Sequence, residues 1–413
     1  MLLSFKFKNF RSFKEEQEVS FVLNSDERSD KNRRFEVETP GGKLRILKNA
    51  LFYGANASGK SNFFQAVLGL SDLVLHPTQN DNQGFSVNSF AYSKENTKFE
   101  IKFLKNNSVF SYLLEYNKTK VVQETLLKNN ELIFDRHYQE FDFNTAEPEI
   151  KKLAKTVRKT TLTLFFAQNN NVQEAMEAFS WFYDLRNNSM DSIIEHLKDD
   201  EDLKEKVLYA MRFADFNILD IVVENNLRPV PMGAPRQATN EEKNRGFGEI
   251  VQAAVVEEQQ EVYFVHENNG KKFRVFLGSE SDGTKRYFGL ILWLLGAKYI
   301  PAHIVLYDEF DKHLHKQLAK AFIKLLNKEQ SQIQFISTTH DSSLMDLLQK
   351  HQIYFVEKSY SGESEIFKLS DFEDIGKTRS DARFSAKYDD GRFGAIQIIN
   401  EAGLNAIMGE ENA

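Results

Sequence analysis

Leu51-Phe52-Tyr53-Gly54-Ala55-Asn56-Ala57-Ser58-Gly59-Lys60-Ser61 is the stretch that sets the reading of the whole chain. The apolar run closing at Tyr53 reads as a buried strand. G-x-x-x-x-G-K-S follows, and Asn62-Phe63-Phe64-Gln65-Ala66-Val67-Leu68 continues at helical spacing. A Gly-rich turn between strand and helix points backbone N–H groups into a concave nest, and the helix N-terminus adds partial positive charge. Gly54, Asn56, Ala57, Ser58, Gly59 and Asn62 belong to that cradle. Lys60 would reach the β- and γ-phosphates, and the Ser61 hydroxyl would complete a Mg²⁺ shell. A chance match would give the glycines without strand, loop and helix in this order.

The chain has 413 residues, more than one core usually serves, so two lobes or more are expected. Hydrophobic content of 41% with 27% charged residues describes a soluble globular protein. There is no cysteine, which excludes disulfides and thiolate metal sites. The N-terminal Met1-Leu2-Leu3-Ser4-Phe5-Lys6-Phe7-Lys8 alternates like a strand and lacks the pattern of a signal peptide. No apolar run approaches the roughly 20 residues a bilayer demands, so a cytoplasmic protein without membrane contact is the expectation. A net charge of −7 argues against a globally basic nucleic-acid binder and leaves room for a local basic groove.

Strands are expected over residues 2–8 and 19–23, with a charged loop from Asp26 to Arg34 and a helix from Lys60 to about Leu75. From residue 98 short strands alternate with Asn106-Asn107, Asn117-Lys118 and Asn129-Asn130, which tolerate hairpin angles, and predict an antiparallel meander. Residues 172–213 read as helices, and Ile218–Val223 as a strand. The Pro- and Gly-rich segment from Arg228 through Arg245 reads as a mobile loop. Beyond it, strands at 273–276, 304–307, 333–337 and 353–356 alternate with helices from near Thr284 and over 315–327. That order predicts a largely parallel sheet with its ligand at the strands' carboxyl ends. The expected division is 1–166, 167–245 and 246–413.

Ile304-Val305-Leu306-Tyr307 ending in Asp308-Glu309 is a Walker B arrangement. Asp308 would hold Mg²⁺ through water, and Glu309, projecting differently, would polarise an attacking water. A second strand ends in Ser337-Thr338-Thr339-His340-Asp341, which sets His340 to hydrogen-bond a γ-phosphate. A third element, Ser279 to Arg286, runs straight into a helix, where Ser281 and Gly283 form a further anion-binding end. One phosphate loop needs one such nest, so the second would serve a neighbouring subunit. Ser281 or Thr284 acting as a helix N-cap is the structural alternative, and both can hold together.

This motif order resembles the ABC-type ATPases of the SMC, RecF and OLD kind over residues 1–70 and 270–345. The resemblance implies an α/β fold: an ABC-type P-loop NTPase core with a mixed β-sheet, an antiparallel β-meander and a helical insertion. It also implies ATP and Mg²⁺ as cofactors, and a homodimer or higher oligomer closed through the ATP sites. The signature departs from the family's L-S-G-G-Q, since Ser281-Asp282-Gly283-Thr284 keeps the serine and one glycine. At finer grain, Lys8-Asn9-Phe10-Arg11-Ser12-Phe13, the phosphate loop, the Ser-x-Gly-Thr-Lys-Arg form at 281–286 and Tyr388-Asp389-Asp390-Gly391-Arg392-Phe393-Gly394-Ala395 look like the RloA/AbiL-type abortive-infection ATPases. That group includes the ATPase of the PARIS anti-phage system. It implies a separately encoded effector, a nuclease of Toprim or RloB-like type, and a phage-encoded trigger. The family's Q-loop glutamine, which senses Mg²⁺ and nucleotide, corresponds here to Gln168.

Arg11 reads equally as a phosphate ligand and as a surface arginine. Lys377, Arg379, Arg383, Lys387 and Arg392, interleaved with Phe384, Tyr388 and Phe393, read as a docking or phosphate-backbone surface, or as a charged segment packing its aromatics on the core. Besides the defence ATPase, two classes stay open: a RecF- or SMC-like repair ATPase that binds DNA, and a scaffold whose ATP only staples an oligomer.

Overall fold

The computed structural model describes residues 1–25, 27, 29–78, 83–144, 148–214, 216–237, 250–328, 330–372 and 383–397. In chain order the first strands are β1 (Leu2–Lys8), β2 (Gln17–Ser20), β3 (Arg34–Thr39), β4 (Gly42–Leu47) and β5 (Asn49–Tyr53). Helix α1 (Lys60–Leu75) is followed by the meander β6 (Thr97–Lys105), β7 (Ser108–Asn117), β8 (Lys120–Lys128), β9 (Glu131–His137) and β10 (Glu140–Phe143). Then come α2 (Pro148–Ala154), α3 (Thr163–Asn169), α4 (Gln173–Arg186), α5 (Met190–His196) and α6 (Glu201–Phe213). The long strands β11 (Asp220–Gln237) and β12 (Ile250–Asn268) precede β13 (Lys271–Phe276) and α7 (Asp282–Leu295). The chain continues through β14 (Ile304–Tyr307), α8 (Lys316–Leu326), β15 (Gln334–Thr338), β16 (Ile353–Lys358), β17 (Ser364–Lys368) and α9 (Phe384–Asp389).

The chain divides into two compact units, residues 1–188 with 300–413 and residues 189–299, a division placed elsewhere than the three segments expected from sequence. The larger unit holds two sheets. One has the order β14-β15-β5-β16-β17, with the first four strands parallel and β17 antiparallel. The other is antiparallel, β10-β9-β8-β7-β6-β1-β2, so the N-terminal strand extends the meander by pairing with β6. The meander turns where expected: Asn106, Asn107, Asn129 and Asn130 all have positive φ. Such angles match a two-residue hairpin to strand twist, and asparagine tolerates them.

Between the sheets lies a Phe-rich core. Phe52 of β5 stacks on Phe63 of α1 and on Tyr354 of β16, both at 4.8 Å between ring centroids. Trp181 of α4 stacks on Phe103 at 4.3 Å. Inside the meander Glu124 and Arg136 are fully buried with 3.8 Å between their charged atoms. The Glu124 carboxylate accepts the Thr163 and Leu164 N–H groups at 2.5 and 2.8 Å and the Tyr112 hydroxyl at 2.9 Å. Arg136 donates to the Tyr138 and Thr161 carbonyls. A buried pair survives where its remaining hydrogen-bonding capacity is met in this way.

The smaller unit packs α5, α6 and α7 with the antiparallel sheet β11-β12-β13. Here one expectation is corrected: residues 228–237 are strand, not loop, paired in register from Arg228↔Glu257 to Met232↔Ala253. Pro229 and Pro231 are tolerated because β11 is an edge strand and two residues of spacing put both missing N–H groups on one side. Residues 238–245 of that expected loop lie outside the described residues, as do Asp26, Arg28, Lys377 and Arg379. Among the described residues no helix is long and apolar enough to cross a membrane.

Candidate nucleotide site

Strand β5 is buried at every position between β15 and β16, and its carboxyl end delivers the chain into the phosphate loop. Two glycines are demanded by space. A Cβ on Gly54 would lie 2.2 Å from the Val356 carbonyl oxygen. One on Gly59, at φ +112°, would lie 2.7 and 2.8 Å from the Ser364 and Ser12 hydroxyls. Ala57 also has positive φ. Gly59 is the residue that opens α1, and no side chain caps its first N–H groups, which remain as donors for an anion. Ser58 is buried with its hydroxyl unpartnered.

Lys60 is 6% exposed and folds back over the loop, donating to the Gly54 and Ala55 carbonyls at 2.8 and 2.9 Å. Burial lowers its pKa to about 8, against the opposing pull of the Glu309 and Asp308 charges. An ammonium held by two carbonyls and partly stripped of water is poised to exchange them for phosphate oxygens.

The acidic side of the site comes from neighbouring strands. Because β14, β15 and β5 are parallel neighbours, their carboxyl ends lie side by side. Ser61 Oγ donates to Asp308 Oδ2 at 2.6 Å, and Thr338 Oγ1 donates to Asp308 Oδ1 at 2.6 Å. The same Thr338 oxygen accepts the Glu309 N–H at 2.7 Å. Glu309 has φ +49°, an uncommon conformation for a residue with a Cβ, and so turns away from the direction of Asp308. Its Oε2 pairs with Lys312 at 3.1 Å, and its Oε1 lies 3.9 Å from His340 Nε2. Burial, then the charge of Lys60, lowers the His340 pKa, which favours neutral imidazole near pH 7. Asp311 takes the Thr339 hydroxyl at 2.8 Å, and burial pushes its carboxyl up.

Ser61 and Asp308 supply hard oxygen donors in direct contact, which suits Mg²⁺. No group of three or more His, Asp or Glu among the described residues is placed to hold a metal by itself. An ion here would therefore take its other ligands from phosphate and water. The loop and carboxylate residues fit nucleotide with Mg²⁺.

The structure thus brings the loop from Gly54 to Asn62, Asp308, Glu309 and His340 to one edge of one sheet. Gln168 is half-buried in the last turn of α3, a helix rather than the expected loop, and it is not among the partners of Ser61 or Asp308. Ser281 caps α7, accepting the Thr284 N–H at 3.1 Å, and Gly283 lies in the helix's first turn. Both belong to the smaller unit. Arg11 is exposed, its N–H bonded to the Asn88 carbonyl and its guanidinium beside the Phe10 ring. In the tail, Phe384 and Phe393 are buried and Tyr388 stacks on Phe355 at 5.5 Å, so its aromatics pack on the core.

Sequence reasoning assigned no role to several residues that complete the site. Thr338 bridges the two acidic residues. Ser12 accepts from Asn62 Nδ2 at 2.7 Å, and Ser364 donates to the Ser58 carbonyl at 2.6 Å, so both brace the loop. Gln397 Oε1 accepts the Asn56 N–H at 3.0 Å. Only Thr338 carried a local signal, as a hydroxyl at a strand end two positions before His340.

A family model described as "AAA domain, putative AbiEii toxin, Type IV TA system" matches residues 50–346. A search of curated proteins returns no significant match. Solved structures similar to this chain include an SMC head bound to the C-winged helix domain of ScpA, with 15% identity, 91% of this chain and 99% of that chain covered, and a TM-score of 0.42. The SMC head domain from Thermotoga maritima has 15% identity, 89% and 98% coverage and a TM-score of 0.41. An Smc head with an extended coiled coil, bound to the C-terminal domain of ScpA derived from Pyrococcus furiosus, has 13% identity, 91% and 99% coverage and a TM-score of 0.42.

Proposed function

The chain belongs to that AAA-domain family, and from this premise we propose that it is an ABC-type ATPase of an anti-phage abortive-infection system. ATP binding and hydrolysis at subunit interfaces would sense infection, through a phage-encoded trigger, and hold or release a separately encoded toxic nuclease. The observation that carries the ATPase part is the chain of contacts Ser61–Asp308–Thr338–Glu309 beside Lys60. These contacts support reading Ser61 and Asp308 as the metal-binding pair and Glu309 as the water-polarising carboxylate beside the phosphate loop. The family's tie to a toxin–antitoxin system supports the defence part.

In this reading Ser61 and Asp308 hold Mg²⁺, Lys60 releases its two carbonyls to bind the β- and γ-phosphates, and the N–H groups of Gly59, Lys60 and Ser61 wrap them. Glu309 orients the attacking water and His340 reads the γ-phosphate. Phosphoryl transfer to water needs positioning and charge neutralisation more than covalent chemistry. Ser281 and Gly283, at the N-terminus of α7, would seal the γ-phosphate bound to a second copy of the chain, which couples hydrolysis to assembly. Gln168 would sense the metal from its helix only if α3 rearranges on binding.

Glu309→Gln tests the reading. The variant should bind ATP and form ATP-dependent oligomers while turnover falls by at least about 10²-fold, the upper range for losing a positioned acid–base group being near 10⁴. Normal hydrolysis by this variant removes Glu309 from its role. Unchanged assembly of a Ser281→Arg variant with ATP removes the interface.

A further inference from the structure

The outer face of α8 carries a line of lysines four residues apart: Lys316, Lys320 and Lys324, extended by Lys312 before the helix and Lys328 after it. Lys320 is half-buried and the other four are exposed. Residues 312–328 contain no Asp or Glu, in a chain with net charge −7. The inner face is ordinary core: Ala319, Phe322, Ile323 and Leu326 are buried, with Phe322 against Phe335 at 5.2 Å.

The ridge is not explained by helix stability. Lysines at i and i+4 repel by roughly 0.2–0.5 kcal/mol per pair. Helix polarity favours Lys324 in the last turn but disfavours Lys316 in the first. Among the described residues Lys316, Lys320, Lys324 and Lys328 form no ion pair. In the neighbouring turn Asp341 accepts from Ser343 and Asp346 from Ser385, and neither forms an ion pair with these lysines. Only Lys312 is paired, and its partner is Glu309.

We propose that α8 docks double-stranded DNA through its phosphate backbone, without reading sequence, and that the contact draws Lys312 off Glu309. Steps of four residues advance about 6 Å along a helix and drift about 40° around it, so Lys316, Lys320 and Lys324 form a gently winding, evenly spaced row of positive charge. A row of that kind complements a polyphosphate. A protein partner would want aromatic or arginine anchors, and the one exposed large apolar side chain on α8 is Leu325. Single strands are held by stacking on aromatic rings, and α8 exposes none. The link to Lys312 rests on the ATPase reading above: Lys312 lies 3.1 Å from Glu309 Oε2, and a duplex that takes up Lys312 leaves that oxygen free to orient water, so DNA bound on α8 would raise turnover.

The test is fluorescence anisotropy of a labelled duplex of about 30 base pairs titrated with the full chain between about 50 and 200 mM salt, with no nucleotide added. Wild type should bind with steep salt dependence. The combined Lys316→Gln, Lys320→Gln, Lys324→Gln variant should bind about tenfold or more weakly. Its slope of log K against log salt should be shallower by about 2.7, at about 0.9 for each phosphate that is no longer neutralised. ATP affinity of that variant should be unchanged, which shows that the fold is kept. Equal duplex binding by variant and wild type overturns the proposal. So does a preference of the ridge for single-stranded DNA, RNA or polyglutamate. Duplex binding with the expected slope but no ATP turnover leaves the surface standing and removes the ATPase reading. Turnover that DNA does not stimulate removes the link through Lys312.

Discussion

The Thr338 hydroxyl donates to Asp308 at 2.6 Å and, on its other side, accepts the N–H of Glu309 at 2.7 Å. One buried oxygen therefore orients the Asp308 carboxylate, proposed above to hold Mg²⁺, and pins the backbone turn that aims Glu309. Thr338→Val keeps the shape and removes both bonds. Outer-shell partners of metal ligands are worth about 10–100-fold in metal affinity or activity. Turnover should fall in that range with a raised Mg²⁺ requirement, and Thr338→Ser should restore it. Steady-state rates across a Mg²⁺ titration check this.

Lys60 predicts a pH dependence of ATP binding. Burial sets its pKa at about 8 against the usual 10.5. The folded value lies below the unfolded one, so the cost of burying the charged amine is fully present below about 8 and is relieved as the pH climbs toward 10.5. Phosphate binding needs the charged form. Above about pH 8 ATP binding must therefore take up a proton, and affinity should fall by up to about tenfold per pH unit, a slope that Lys60→Met abolishes. Calorimetry on both sides of that pH, in buffers of different ionisation enthalpy, reads the proton directly.

Gly59→Ala should disable the loop, because the new methyl meets the Ser12 and Ser364 hydroxyls and the residue sits at φ +112°. The strain should cost about 1–3 kcal/mol and abolish ATP binding. Gly69→Ala is the control. It lies inside α1 with its nearest new contact, Phe10, at 3.9 Å, and should stabilise by about 0.4–1 kcal/mol. Urea unfolding with and without ATP separates the two.

Glu124→Ala should be severely destabilising although it is far from any phosphate in sequence. It leaves Arg136 charged and buried and orphans the N–H groups that open α3. Removing one member of a buried pair costs about 3–5 kcal/mol. Replacing Glu124 and Arg136 together by Leu should recover part of the loss. Denaturant midpoints of the single and double variants decide it.

Much of the site was legible because its parts are local. The meander could be read from alternation and asparagine turns, and a helix N-cap by Ser281 or Thr284 was one of two readings, of which the structure shows Ser281. Other features were hidden for physical reasons. The long β11–β12 ladder overrode a Pro- and Gly-rich composition, since an edge strand tolerates missing N–H groups. The placement of Gln168 in a helix and the bracing of the loop by Ser12, Ser364 and Gln397 depend on chain segments brought together by folding.

From its residues alone this chain determined a phosphate cradle, two carboxylates at a strand end and a histidine at another, because each rests on a few consecutive positions whose backbone and side-chain chemistry act locally. Only the tertiary structure decided that they meet. Ser61 and Asp308 are 247 residues apart and touch at 2.6 Å because β14, β15 and β5 are adjacent parallel strands. That adjacency is chosen by the burial of whole apolar strands and helix faces, a sum over many distant residues that no short spacing encodes.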